Sequence, residues 1–261
     1  MHMKFGWALL AMLAIGMMTS CSSSNTVGTP GSGFVWVATA GDQNVTAFSV
    51  DLTNGALAQV GNQVGTGKQP SALALTPDNK TMFIANSGDN TIGSYSVNSD
   101  GTLTAQSSTT TTGQIPVAMA IDPAGKFLFV ANQGTITDNT SGTISVFSIS
   151  SGSLTQVAGS PFLTESATDA TGTGPAAVVV APSASFIYVA NQFTNTVQSY
   201  SYDSSGALAL VATYTVGTNP AGLAFSRCAG VSQGTANCAT ADDNNLFVAN
   251  AGSNDVSIFT A

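Results

Sequence analysis

Acid–base chemistry needs a proton acceptor held against a reacting group, with a donor or cation for the charge that develops. This chain has few side chains that serve. Its 261 residues include 13 Asp and Glu, five Lys and Arg, and one histidine, His2. Arg227 is the one arginine and Glu165 the one glutamate. A Ser-His-Asp relay cannot form once the leader carrying His2 is gone. What remains is a set of aspartates with Lys68, Lys80 and Lys126. The pattern assigns no catalytic residue and implies no cofactor and no metal. EF-hand spacing is absent, and the thiols of Cys228 and Cys238 lack further ligands. The Gly-rich run Gly61 to Gly67 has no helix after it to cradle a phosphate.

Charge and cysteines narrow the class. The net charge is −8, and one unit more negative once Lys4 leaves with the leader. Nucleic acid is excluded as a partner, because its affinity comes from Lys and Arg on phosphates. Cys228 and Cys238 lie together in one insertion. In an exported chain they are expected to form a disulfide, contributing about 3 kcal/mol on a chain-entropy account.

The elements that position these residues repeat. One box recurs five times: Trp36-Val37-Ala38-Thr39, Phe83-Ile84-Ala85-Asn86, Phe129-Val130-Ala131-Asn132, Tyr188-Val189-Ala190-Asn191 and Phe247-Val248-Ala249-Asn250. A turn and a second apolar run follow each box, with strand periodicity, as in Ile92 to Val97 and Val197 to Tyr202. Then comes a Gly turn and a third run, as at Gly101-Thr102-Leu103. A fourth run opens on Pro70, Pro116, Pro175 or Pro220, where a strand's first residue costs no ladder hydrogen bond. Labelling these A (Pro run), B (box), C and D gives four short antiparallel strands per repeat, an all-β propeller pattern with five repeats. The box is apolar on both strand faces, as neighbouring sheets would require. Its Asn is expected to bond locally at the strand end.

The boxes, the turns Thr76-Pro77-Asp78 and Asp122-Pro123, and the step Val216-Gly217-Thr218-Asn219-Pro220 resemble the YVTN-type β-propellers. They are also similar to the lactonase-type seven-bladed propellers related to bacterial 6-phosphogluconolactonase. The resemblance covers residues 34–261. It implies a sugar-lactone hydrolase whose central cleft uses His, Arg and Glu. None of these can be carried over, since Arg227 borders the cysteine insertion and Glu165 lies in a different loop.

Residues 1–21 are expected to be a lipoprotein signal. Lys4 is its positive region, Phe5 to Met17 its apolar stretch, and Met18-Thr19-Ser20-Cys21 resembles a lipobox. Cys21 would carry acyl chains that anchor the protein in the membrane. Ser22 after it suggests the outer membrane of a bacterial cell envelope. Residues 22–33 form a flexible tether, and 34–261 the propeller.

Alternating strand direction puts B–C and D–A loops on one face and A–B and C–D loops on the other. The first face collects Asp42, Asp89, Asp138, Glu165, Asp169 and Asp255, opposed by Lys68. The second collects Asp51, Asp78, Asp100, Asp122, Asp203, Asp242 and Asp243. Longer B–C and D–A loops in the third repeat would raise a lip on the first face. Asp138, Phe162, Glu165, Asp169 and Phe193 are its partner-binding candidates, for an unknown protein or carbohydrate. The first repeat lacks strand A and the last lacks D, so the count suggests an incomplete or partner-completed ring. Three functions fit: a lipid-anchored, non-catalytic binding scaffold, a lactonase-like hydrolase, and a surface polysaccharide binder.

Overall fold

The computed structural model describes residues 33–135, 142–164, 173–183, 186–226 and 245–260. Its elements are nineteen strands in five antiparallel sheets. The first sheet is β1 (Gly33–Thr39), β2 (Asn44–Val50) and β3 (Leu57–Gly65), in that order. The second is β4 (Pro70–Leu75), β5 (Thr81–Asn86), β6 (Thr91–Val97) and β7 (Leu103–Thr111). The third runs through β8 (Pro116–Ile121), β9 (Phe127–Asn132), β10 (Thr143–Ser150) and β11 (Ser153–Gln156), with β12 (Phe162–Leu163) also on β10. The fourth is β13 (Pro175–Val180), β14 (Phe186–Asn191), β15 (Thr196–Tyr202) and β16 (Leu208–Thr215). The fifth is β17 (Pro220–Phe225), β18 (Asn245–Asn250) and β19 (Asp255–Thr260). These are propeller blades in the A–B–C–D order that the repeats imply.

Each Pro opens its strand opposite the box Asn, as in Pro70 against Asn86 and Pro116 against Asn132. The register shifts by one residue immediately after the Pro in all four copies. A bulge there lets the strand bend where proline has no donor to offer. At the first of these bulges, Ser71 Oγ donates to the Pro116 carbonyl at 2.6 Å, tying one inner strand to the next.

The boxes are core. All six residues of β5 and of β9 are buried. Alternate box residues face opposite neighbours, so each sheet is apolar on both sides. Trp36, Val45 and Ala47 of the first sheet pack on Met82, Ile84 and Tyr95 of the second. Phe83 and Ile92 of the second meet Leu128, Val130 and Phe147 of the third. Phe129, Ala131, Ile144 and Val146 meet Val178, Ile187, Val189 and Tyr200 of the fourth. Ala190 and Val197 meet Leu246 and Val248 of the fifth. The described core is thus four layers, each between consecutive sheets.

The third sheet departs from a simple four-stranded blade, because its outer strand is in two pieces. The Ser160 amide bonds the Val157 carbonyl in a tight turn, and Pro161 follows through a cis peptide. Pro161 brings no N–H to the ladder. The Ser160 hydroxyl instead accepts from the Val146 amide at 2.9 Å, and the chain rejoins β10 as β12, Phe162 opposite Ile144. Part of the D–A interval that reads as loop is therefore strand.

Candidate functional site

The face built from B–C and D–A loops is held together by a repeated backbone clamp. In the second sheet the Ser87 amide donates to Gln69 O at 2.9 Å and the Gly88 amide to Lys68 O at 3.0 Å. The same pair recurs as Gln133 to Ile115 and Gly134 to Gln114, as Gln192 to Gly174 and Phe193 to Thr173, and as Ala251 to Asn219 and Gly252 to Thr218. The residue before each strand-opening Pro has positive φ: Gln69, Ile115, Gly174 and Asn219. Left-handed backbone at these points turns the chain from the outer strand of one sheet into the inner strand of the next.

Beneath the clamps lie the box asparagines, all buried. Asn86 Oδ1 accepts from the Gly67 amide at 3.1 Å. Asn132 Nδ2 donates to Thr143 Oγ1 and Ser145 Oγ, while its Oδ1 accepts from Thr112 Oγ1. Asn191 and Asn250 donate in the same way to Gln198 Oε1 and to Ser257 Oγ and Asp255 Oδ1. Asn86 and Asn132 thus fasten their strand ends to the D–A loop, while Asn191 and Asn250 fasten theirs to the adjacent strand, local roles as expected of them.

One ion pair occurs among the described residues, and it sits on this face. Lys68 Nζ lies 3.5 Å from Asp89 Oδ1, and the Lys68 amide donates to Asp89 Oδ2 at 2.6 Å. Lys68 is open to solvent and Asp89 partly so. The D–A loop wraps so closely that a Cβ on Gly67 would stand 2.9 Å from Asp89 Oδ2. A carboxylate and an ammonium are thereby fixed side by side at a loop rim. That arrangement can take a proton from water and meet an anionic oxygen.

The carboxylates of the opposite face do something else. Asp51, Asp100 and Asp203 each accept from a hydroxyl and an amide two residues on: Thr53, Thr102 and Ser205. These bonds, from the side chain first, hold all three below the ordinary carboxylate range. Asp78 is lowered likewise, first by the Thr76 hydroxyl. Buried Asp122 receives the Lys126 and Phe127 amides. They are turn residues, as Asp often is. Asp78 and Lys80 also line a polar groove of about 510 Å³ shared with Gln106, Gly125 and Gly152.

Of the lip residues, Phe162 packs half-buried on the core layer between the third and fourth sheets. Phe193 sits in a B–C turn over Gly174, whose absent Cβ leaves room for the ring. Asp138, Glu165 and Asp169 lie outside the described residues, as do Cys21, Cys228 and Cys238. The cysteine insertion also contains Gly230-Val231-Ser232-Gln233-Gly234, the spacing of a nucleophile elbow. Ser232 lies outside the described residues. Among the described residues no three His, Cys, Asp or Glu side chains come together as a metal site, and no helix is long and apolar enough to cross a membrane.

Comparison with known proteins follows the same line. A family model described as a seven-bladed β-propeller lactonase matches residues 29–137 and 136–261. No curated protein matches. A solved structure of a protein from Lactobacillus plantarum superposes with a TM-score of 0.71 at 20% identity, over 87% of this chain and 63% of that one. A provisionally assigned 6-phosphogluconolactonase from Bacteroides uniformis superposes with a TM-score of 0.66 at 18% identity, over 88% and 64% respectively. This chain thus spans less than two thirds of the length of either.

Proposed function

The chain belongs to the lactonase family of seven-bladed β-propellers, and on that premise we propose that it hydrolyses sugar lactones at the rim formed by Lys68 and Asp89. The single observation that carries the reading is that ion pair, on the loop face of a lactonase-family propeller. Asp89 takes a proton from water as the water oxygen attacks the lactone carbonyl carbon. Lys68 meets the oxyanion. The ring C–O bond then breaks, and the ring oxygen leaves as an alcohol carrying that proton. A phosphate substituent would find its cation in the same Lys68. The name of the Bacteroides neighbour supports the substrate class.

The test is a pH-stat assay of the purified chain on glucono-δ-lactone and 6-phosphogluconolactone, read above the spontaneous rate. Turnover that falls at least tenfold in Asp89→Asn supports the proposal. Turnover unchanged in that variant removes Asp89 as base, and no turnover removes the activity.

A second reading is a non-catalytic binding scaffold, favoured by one observation. The described carboxylates of the opposite face are committed to turns. On that reading the loops around Phe162 and Phe193, with Asp138, Glu165 and Asp169, receive a protein or carbohydrate, and a lipid on Cys21 holds the domain at the envelope. Binding of a lactone without turnover would favour it. A Cys21→Ser protein that leaves the membrane fraction would support the anchor.

A further inference from the structure

On the face of A–B and C–D loops, an aromatic ring closes the junction between one sheet and the next. Between the first and second sheets the ring is Phe34, and a Cβ on the turn glycine Gly101 would overlap it. Between the third and fourth it is Phe127, which stands over Gly206 in the same way. A valine joins each ring: Val60 packs on the core layer of Phe34, and Val157 on that of Phe127. Each valine lies three residues after the leucine of its Gly turn, Leu57 or Leu154.

Between the second and third sheets the same two positions hold Thr81 and Gln106. Neither fills the space of a ring. A Cβ on Gly152, the turn glycine here, would stand 3.3 Å from Thr81 Oγ1 and 3.0 Å from the Gln106 amide atoms. The groove of about 510 Å³ opens at this junction.

Its polar groups have bonding capacity to spare. Thr81 is only 8% exposed, yet its hydroxyl bonds no described residue, while Thr76 holds its backbone. Gln106 Nε2 donates to Ser96 Oγ at 3.0 Å, and its Oε1 bonds no described residue. Asp78 Oδ1 accepts the Thr76 hydroxyl and the Lys80 amide, which leaves Oδ2. Lys80 differs from its counterpart in the third sheet. Lys126 Nζ donates to the Ser204 carbonyl and lies 4.8 Å from the Phe127 ring centroid. With no ring at position 81, the Lys80 ammonium hydrogen-bonds no described residue.

We propose that this groove binds a neutral sugar in its pyranose form. The Thr81 hydroxyl, the Gln106 amide oxygen, the Asp78 carboxylate and the Lys80 ammonium offer donors and acceptors together, as adjacent ring hydroxyls require. Pro77 and Ile149 give the groove apolar wall for the C–H faces of the ring. Asp78 and Lys80 balance in charge, which favours a neutral ligand over a sugar acid or a sugar phosphate. The volume falls in the small-molecule range, about 300–1,000 Å³. A ligand hydroxyl also gives the buried Thr81 oxygen the partner that such groups normally have. The groove is on the opposite face from Lys68 and Asp89, so the site stands whether or not that rim turns over a lactone.

Calorimetric titration of the full chain with methyl α-glucoside, methyl α-galactoside and methyl α-mannoside tests this. At least one is expected to bind with a dissociation constant of about 1 mM. Thr81→Phe/Gln106→Val gives this junction the residues of its closed neighbours. It should bind roughly tenfold more weakly or worse, with a melting temperature equal to or above the wild type. Gln106→Val alone should weaken binding about fivefold, and it decides the matter if the double variant fails to fold. Asp89→Asn should bind as the wild type does. Binding of none of the three sugars overturns the proposal. So does binding undiminished by Gln106→Val or by the folded double variant, binding lost in Asp89→Asn, or glucose 6-phosphate binding more tightly than the methyl glycosides.

Discussion

Asn90 Oδ1 accepts the Ile115 amide at 2.8 Å across the boundary between two sheets. Asn195 does the same for Asn219 two sheets later. In both cases the asparagine has a positive φ, near 55°. One residue thus supplies a turn conformation that few side chains tolerate, together with the bond that orients the next blade. Replacing Asn90 by Gly keeps the turn and loses the bond, and should cost about 1 kcal/mol. Replacing it by Ala loses both and should cost about 2 kcal/mol. Denaturant midpoints of the two variants check the difference; equal losses would contradict the dual role.

Ile115 itself holds a φ of 54°, which a β-branched residue adopts only under strain. Its equivalents before the other strand-opening prolines are Gln69, Gly174 and Asn219. Ile115→Asn should therefore raise stability by about 1 kcal/mol. A thermal melt shifted downward would show that the half-buried isoleucine contributes more through packing than it loses in backbone strain.

Gly101 has a φ of 84°, and a Cβ there would overlap the Phe34 ring. Its carbonyl also accepts from Trp36 Nε1 at 2.9 Å, so the same turn locks the first sheet to the second. Gly101→Ala should destabilise the protein by about 2–3 kcal/mol. Trp36 lies in this junction, so tryptophan fluorescence should report the loss as an earlier unfolding transition. An unmoved transition would mean that the ring yields freely.

The turn aspartates make stability depend on acid. Asp51, Asp78, Asp100 and Asp203 have folded pKa values below their unfolded ones. Their contribution is present above the ordinary carboxylate range and is lost as pH falls through the lowered values. Unfolding free energy should therefore decline as pH falls below 4. In Asp51→Asn/Asp100→Asn/Asp203→Asn that decline should be shallower. A slope identical to the wild type would remove these turns as its cause.

The blades were legible because burial repeats. A box such as Phe129-Val130-Ala131-Asn132 must be apolar on both faces to sit between two sheets, and that leaves a pattern in sequence. The grouping of Asp89 with Lys68 on one loop face also follows from strand alternation alone. Their contact does not, since it depends on the clamp between Gly88 and Lys68 O, a backbone bond that any residues can make. Phe162 reads as a loop aromatic, yet it closes a strand on β10 after the Ser160–Pro161 turn. The interruption in the outer strand hides the pairing, because two residues are too few to show a period.

The most direct measurement is lactone turnover by the purified chain with and without the Asp89 carboxylate. Hydrolysis of glucono-δ-lactone or 6-phosphogluconolactone above the spontaneous rate is predicted. It should drop at least tenfold in Asp89→Asn, where the amide oxygen still accepts the Lys68 amide and only the charge is gone. Lys68→Gln should weaken the phosphorylated substrate more than the unphosphorylated one. Turnover that persists unchanged in Asp89→Asn, or none in the wild type, would contradict the assignment of this rim as the site.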